Sequence, residues 1–325
     1  MHGGGRAGRH PGECSIGPVT RQPSTLLTIA PEIEDALIRS APVVALESSL
    51  IAHGLPADTG PAVALESERR VREAGAIPAT IAVLAGSVRV GLQPDQIAGL
   101  AIGGRVRKIG PRDLAAGVIS GVDGATTVAG TLAVCQIAGI HFMATGGIGG
   151  VHRGWQRTGD ISADLEELAR TAVCVVCSGA KSILDVPATL ERLESLGIPV
   201  VGYQTDRFPL FYTRDSTHRL HDRVDDPATL AALAAAHWGF ARTTGLVVAQ
   251  PVSAEVALDP GQLDPMIDAA VAEAEATGVT GSAVTPFVLG RLHEETGGGT
   301  LAANSRLITD NAELAGRIAV AYYAE

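Results

Sequence analysis

A chain of 325 residues, 46% hydrophobic and only 18% charged, can bury a sizeable core in one large domain or two small ones. A formal net charge of −10 argues against nucleic acid or an anionic membrane as the main partner. No apolar stretch approaches the roughly 20 residues needed to span a bilayer. An anionic small substrate remains open, because a pocket can be locally basic inside an acidic protein.

Residues 1–27 are rich in Gly, Pro and Arg, show no apolar period and lack the apolar core of a secretory signal, so they read as a disordered arm. From about residue 30 onward strands alternate with helices. "PVVALESSL" (42–50) reads as a strand. "GPAVALESERRVREAGA" (60–76) reads as a helix with Pro61 near its start and Gly75 near its end. "PATIAVLAG" (78–86) is a strand, "TTVAGTLAVCQIAGI" (126–140) a helix and "IHFMATGG" (140–147) a strand. "ISADLEELART" is a helix opened by Ser162, with acids in its first turns. "AVCVVCSG" is a strand, "VPATLERLESLG" a helix, and "IPVVGYQT" and "GLVVAQPV" are strands. Helices at about 264–277, 286–296 and 300–323 close the chain. The alternation predicts an α/β fold: a three-layer α/β/α sandwich around a central mixed, largely parallel sheet. No linker interrupts it, so residues 28–325 form one domain.

Cys174 and Cys177 have CxxC spacing. Positions i and i+3 of a strand face opposite sides, so these thiols diverge. With Cys14 and Cys135 they are read as core or incidental thiols rather than a zinc or redox site, a usage that suits a reducing cytoplasm.

In such sheets ligands bind beyond the carboxyl ends of the strands. Glu47 ends the first strand, Thr145 and the loop "GGIGGVHRG" (146–154) follow another, and Lys181 lies just past the cysteine strand. The loop is no dinucleotide fingerprint, since His152 stands where the third Gly belongs. Its five glycines suggest close backbone approach to a ligand. Lys181 reads as a cation at a helix start, against the helix dipole and among tiny neighbours, which leaves its amine accessible.

Together, "ALESSLIAHGLP" (45–56), "GAIPATIAVLAG" (75–86), "GATTVAGT" (124–131), "ATGGIGGVHRG" (144–154), "DISADLEELA" (160–169), "VVCSGAKSILD" (175–185), "VGYQTDRFP" (201–209), "EAEATGVTGSAVTPFVL" (273–289) and "TGGGTLAANSRLI" (296–308) resemble the pseudouridine-5′-phosphate glycosidase family, which also contains the indigoidine synthase A-type proteins. The resemblance runs from about residue 30 to 325. "ESSL" departs from the family's more frequent "EST" followed by an apolar residue, and the arm is extra.

The resemblance implies reversible conversion of pseudouridine 5′-phosphate and water to uracil and ribose 5-phosphate. It also implies a divalent metal, usually manganese, and a homotrimer. By the same resemblance Lys181 is the nucleophile and Glu47 the proton donor. Lys108, Val128, Ser162, Ala163 and Asp164 contact substrate, Asp160 holds the metal, and His152, Thr145 and Asn304 line the uracil or metal side.

The residue types suit the bond. Uracil would leave as a C5 carbanion, so the two-carboxylate route for O-glycosides is unattractive, whereas a neutral lysine amine offers an imine route. Two other classes share features with this reading. A different Schiff-base lyase or aldolase acting on sugar phosphates would also use Lys181, and a non-catalytic sugar-phosphate-binding protein would need no intact Glu47, Lys108, Asp160 and Lys181. Release of uracil separates them.

Overall fold

The computed structural model describes residues 26–102, 106–214, 216–279 and 284–324. Its strands are β1 (Leu27–Ile29), β2 (Val43–Glu47), β3 (Ile77–Leu84), β4 (Ser87–Val90), β5 (Arg107–Ile109), β6 (Gly124–Thr126), β7 (Phe142–Ala144), β8 (Cys174–Cys177), β9 (Val200–Tyr203), β10 (Asp222–Val224) and β11 (Leu246–Ala249). The helices are α1 (Pro31–Ile38), α2 (Gly60–Glu73), α3 (Pro94–Ala101), α4 (Leu114–Ser120), α5 (Val128–Ala138), α6 (Trp155–Thr158), α7 (Ala163–Leu168), α8 (Val186–Ser195), α9 (Pro227–Gly239), α10 (Pro260–Ala276), α11 (Val284–Glu295) and α12 (Gly299–Tyr323).

The strands join one sheet in the order β1-β4-β3-β2-β7-β8-β11-β9-β10. Every pair along this path is parallel except β3–β4. Period-2 alternation sorts the strand residues between two apolar layers. Val43, Ala45, Met143, Val175 and Cys177 face α1, α5, α7 and α8. Val44, Leu46, Phe142, Cys174 and Val176 face α2, α9 and α12. This is the predicted three-layer arrangement. Cys174 and Cys177 do lie on opposite faces, and burial pushes both thiols up to about 12, so they are inert core side chains. Cys14 lies outside the described residues.

Two features bear directly on the site. First, β2 pairs with β3 only as far as Glu47 opposite Ile81, and β6 takes the following positions, Ala82 and Val83. The Ser48 side chain seals that junction: its hydroxyl donates to the Ile81 carbonyl at 2.6 Å and accepts from the Thr126 amide at 2.9 Å. The chain then leaves the sheet through a wide helical turn at Leu50–Gly54, so the strand ends earlier than the sequence pattern suggested. Second, α10, α11 and the first half of α12 roof the carboxyl end of the sheet. They pack Ile267, Leu292 and Leu307 with Ile183, Phe208 and Tyr212 into a separate apolar cluster.

The boundary of the amino-terminal arm needs correction. Residues 1–25 lie outside the described residues, but Leu26 and Leu27 belong to the body. Both pack on the core, and the Leu26 carbonyl accepts from the Val88 amide at 2.8 Å. Deleting residues 2–24 is therefore expected to leave the melting temperature within about 2 °C of the full chain. Deleting through Leu27 removes this edge pairing and its apolar burial and should cost about 1–3 kcal/mol. Thermal melts of the two truncated proteins check both values.

Candidate active site

β2, β7 and β8 are adjacent and parallel, so Glu47, Thr145 and the segment after Cys177 emerge side by side. The backbone pairing continues past the strands. Ser178 N–H donates to Gly146 O (2.8 Å), Ile148 N–H to Gly179 O (3.0 Å) and Lys181 N–H to Ile148 O (3.1 Å). Gly179 makes the turn possible: its φ is +83°, and a Cβ there would lie 1.9 Å from the Pro209 carbonyl oxygen. Lys181 thus follows the bridged residue Ala180 and opens a turn closed by Leu184 N–H on its carbonyl (3.1 Å), and it is not at a helix start. Helix α8 begins five residues later and is capped by Asp185, which accepts from Ala188 N–H at 3.1 Å. Among the described residues the Lys181 side chain makes no hydrogen bond or ion pair, which suits a group reserved for a ligand.

Glu47 is 5% exposed. One carboxylate oxygen accepts from the Ser49 hydroxyl and the other from the Thr145 hydroxyl. Thr145 is itself fixed from behind by the fully buried Asn311, whose amide donates to the Thr145 carbonyl (2.8 Å) and to Ser178 Oγ (3.1 Å). Asn311 therefore ties the ends of β7 and β8 to α12. Nothing in the sequence pattern marked it, because it is one polar residue inside a long helix.

Glu47, Thr145, Lys108, Lys181 and Asn304 line one inner chamber, with Phe211, Leu289 and Ile308 as apolar walls. Lys108, on β5, is half-buried. Burial and then the Lys181 charge push its amine below the usual lysine range, while Glu47 and Asp164 oppose the shift. The two lysines are therefore close enough to repel.

Lys108, Lys181 and Ser49 also border a larger open cleft of about 610 Å³, lined by Val128, His152, Asp160, Ser162, Ala163 and Asp164. Every site residue expected from the sequence thus lines one of two neighbouring spaces that meet at Lys108 and Lys181. Within the cleft the roles separate. Asp164, 5% exposed, accepts from Ala129 N–H (2.9 Å) and Gly149 N–H (2.7 Å). Its carboxylate thereby fastens the start of α5 to the glycine loop. The Thr127 hydroxyl takes Gly130 N–H, and the Ser162 hydroxyl takes Asp164 N–H. The first-turn amides left for a ligand are those of Val128 and Ala163.

The glycine loop itself departs from expectation. A Cβ at Gly149 would lie 2.2 Å from Ser162 Oγ, and one at Gly147 would lie 2.7 Å from the Phe211 ring. These glycines admit neighbouring side chains of the protein and are not explained by ligand approach alone.

Asp160 projects from the cleft wall, with His152 Nδ1 3.9 Å from one carboxylate oxygen. Burial pulls the His152 imidazole below its usual range, Asp160 opposes this, and Lys181 and Lys108 add to it. Among the described residues no group of three or more His, Cys, Asp or Glu side chains is placed to hold a metal. One open carboxylate in a polar cleft fits a hard divalent cation that keeps most of its waters, and does not fit a tightly caged ion.

A largely parallel sheet with a buried carboxylate, two neighbouring lysines and two helix starts at its carboxyl edge defines an α/β protein with a polar cleft at its strand ends. The profile of the indigoidine synthase A-like protein family matches residues 32–321, and the chain belongs to that family. It is 50% identical over 299 residues to the pseudouridine-5′-phosphate glycosidase of Herpetosiphon aurantiacus, covering 92% of this chain and 99% of the relative. It is 48% identical over 298 residues to the Escherichia coli protein of the same name, covering 91% and 96%. A prealnumycin C-glycosynthase solved in complex with ribulose 5-phosphate superposes with a TM-score of 0.85 at 39% identity, covering 93% of this chain and 98% of that one. An indigoidine synthase A-like protein from Thermotoga maritima gives a TM-score of 0.83 at 33% identity, covering 94% and 99%.

Proposed function

We propose that this chain cleaves the carbon–carbon glycosidic bond of pseudouridine 5′-phosphate, with water, to uracil and ribose 5-phosphate, through an imine on Lys181. The observation that carries this reading is the placement of Lys181 between two spaces. One holds Glu47, and the other the amides of Val128 and Ala163, which are unpaired among the described residues. The relatives' activity supports the substrate, and the ribulose 5-phosphate complex of the C-glycosynthase supports a sugar phosphate in such a site.

The steps balance as follows. Glu47 takes a proton from the Lys181 ammonium, leaving a neutral amine. The amine forms a bond to C1′ as the C1′–O4′ bond breaks, and Glu47 returns the proton to O4′. A second proton passes from the Lys181 nitrogen through Glu47 to C5 of uracil. The C1′–C5 bond then breaks with its electron pair going to C5, while the nitrogen lone pair forms the imine. Water adds to C1′ and releases ribose 5-phosphate. The Ser49 and Thr145 hydroxyls aim the carboxylate during both transfers. Lys108 lies near the Lys181 amine, and burial and then that neighbouring charge push its own amine below the usual lysine range. The Val128 and Ala163 amides would receive phosphate oxygens.

Asp160 would hold manganese or another divalent cation largely through the ion's water shell, and His152 would accept or donate to that shell. When bound, such an ion supplies positive charge and ordered water at the open end of the cleft. The expected assembly is a homotrimer acting in the cytoplasm; no described helix is long and apolar enough to cross a membrane.

The test is incubation with pseudouridine 5′-phosphate while uracil is followed. Uracil should appear in the presence of manganese, and chelation should strongly reduce its rate. Asp160→Asn should weaken manganese binding, read by titration calorimetry, with an unchanged melting curve. No uracil under any metal would overturn the function, and full activity after exhaustive chelation would overturn the metal assignment alone.

A further inference from the structure

The register of β7 on β8 ends with Ala144 opposite Val176, one residue before the threonine whose hydroxyl meets Glu47. The Thr145 N–H still donates to the Val176 carbonyl at 3.0 Å. The Thr145 carbonyl is met from a different layer, by Asn311 Nδ2 of α12 at 2.8 Å. A carbonyl can only accept, so the amide nitrogen must face it, and this fixes which way the Asn311 side chain is turned. The same nitrogen donates to Ser178 Oγ at 3.1 Å. Asn311 thus bridges the ends of two neighbouring strands.

Asn311 and Ser178 are fully buried and Thr145 is 1% exposed, so a partner lost here is not replaced by bulk water. The helix that carries Asn311 is firmly seated. Ala312, Ala315 and Ile318 are buried in the layer between α12 and the sheet. A Cβ at Gly316 would lie 2.8 Å from the Ala74 side chain at the end of α2, so the two helices approach closely there. Asn311 itself borders neither the inner chamber nor the cleft. It reaches the chemistry only through Thr145. Of the two hydroxyls on the Glu47 carboxylate, Ser49 lies two residues along the same chain segment, whereas Thr145 is 98 residues away. Thr145 is therefore the donor that fixes the carboxylate relative to another strand.

We propose that Asn311 is a positioning residue for the proton carrier: by holding the Thr145 main chain it keeps the Thr145 hydroxyl on Glu47 and the carboxylate in its working place. The inference rests on the role given to Glu47 in the function proposed above. Without the amide, the Thr145 carbonyl and the Ser178 hydroxyl lose a buried donor, and the end of β7 relaxes towards other partners. A misplacement of about 1 Å at a reacting group can cost on the order of 10²-fold in rate.

The test is a double-mutant cycle read by steady-state uracil release well below the melting temperature. Asn311→Leu keeps the branched outline of the side chain and removes both hydrogen-bonding atoms. It should lower kcat about 10–100-fold and leave KM within about threefold, because no contact with a ligand is lost. In a Glu47→Gln protein the proton carrier is already gone, and the same substitution should cost less than about threefold more. Ser178→Ala is the gentler variant, for use where Asn311→Leu unfolds. It removes the hydroxyl that steadies the amide and should lower kcat about three- to tenfold, again only while Glu47 is present. A kcat within twofold of the parent in Asn311→Leu would overturn the proposal. So would equal losses with and without Glu47, which mark a purely structural tie, or a raised KM at unchanged kcat. Near-normal kcat in Glu47→Gln alone would instead count against the underlying role of Glu47.

Discussion

Lys181→Ala is expected to abolish uracil release, by on the order of 10⁴-fold or more, because the covalent route loses its nucleophile. Its melting temperature should stay within about 2 °C of the parent. The side chain holds no hydrogen bond or ion pair among the described residues, and its backbone is fixed by Ile148 independently of the amine. An unchanged fold with lost turnover separates chemistry from collapse. Steady-state uracil release beside a thermal melt makes the comparison. Retention of more than a few per cent of activity would place the nucleophile elsewhere, and Lys108 would be the first alternative.

Glu47→Gln should lower kcat by about 10²–10⁴-fold, the usual range for a positioned proton carrier. Glutamine keeps the volume, and its amide can still pair with the Ser49 and Thr145 hydroxyls, so it isolates the proton transfer. Glu47→Ala should be equally slow but less stable by about 1–3 kcal/mol, because it strands hydroxyls that now donate to the carboxylate. Both variants should still form some trapped adduct from free ribose 5-phosphate, since the open-chain aldehyde needs no C–C bond broken. A Glu47→Gln protein with near-normal kcat would remove Glu47 from the chemistry.

The site's framework was legible because parallel strands advertise their ends. Short apolar runs closed by Glu47, Thr145 and Ser178 gave both the strands and the polar residues at their carboxyl edge. The resemblance to a known family supplied Lys108, Val128, Asp160 and Asn304, which no local pattern distinguishes. The cysteine spacing correctly argued for divergent thiols.

The misses have physical causes. Helix α9 reads "PATLAALAAAHWG", almost uniformly apolar, so no amphipathic period announces it; its Asp226 cap, accepting from Thr229 N–H at 2.9 Å, was the available signal. The short strands β4, β5 and β6 are three or four residues long; β4 turns straight back on β3, while β6 is held by β3, distant in sequence, and β5 by β6. The sequence puts Lys181 at a helix start although "VPATLERLESLG" opens the next helix only at Val186; the lysine precedes the Asp185 cap of α8 by four residues, in a turn whose backbone the local sequence does not distinguish from a first helical turn. Asp164 lines the cleft as the resemblance implies, and both its oxygens also hold backbone amides, a role the sequence did not show. That role depends on a contact between the starts of α5 and α7, which are far apart in the chain.

The central claim is a covalent bond between Lys181 and C1′ of the sugar. Its most direct test is to incubate the protein with ribose 5-phosphate, reduce with borohydride, measure the intact mass and map the modified peptide. The account predicts one sugar-phosphate adduct per chain, linked as a secondary amine to Lys181 and absent from Lys181→Ala. An adduct on Lys108, or none under conditions where the enzyme turns over, would contradict it.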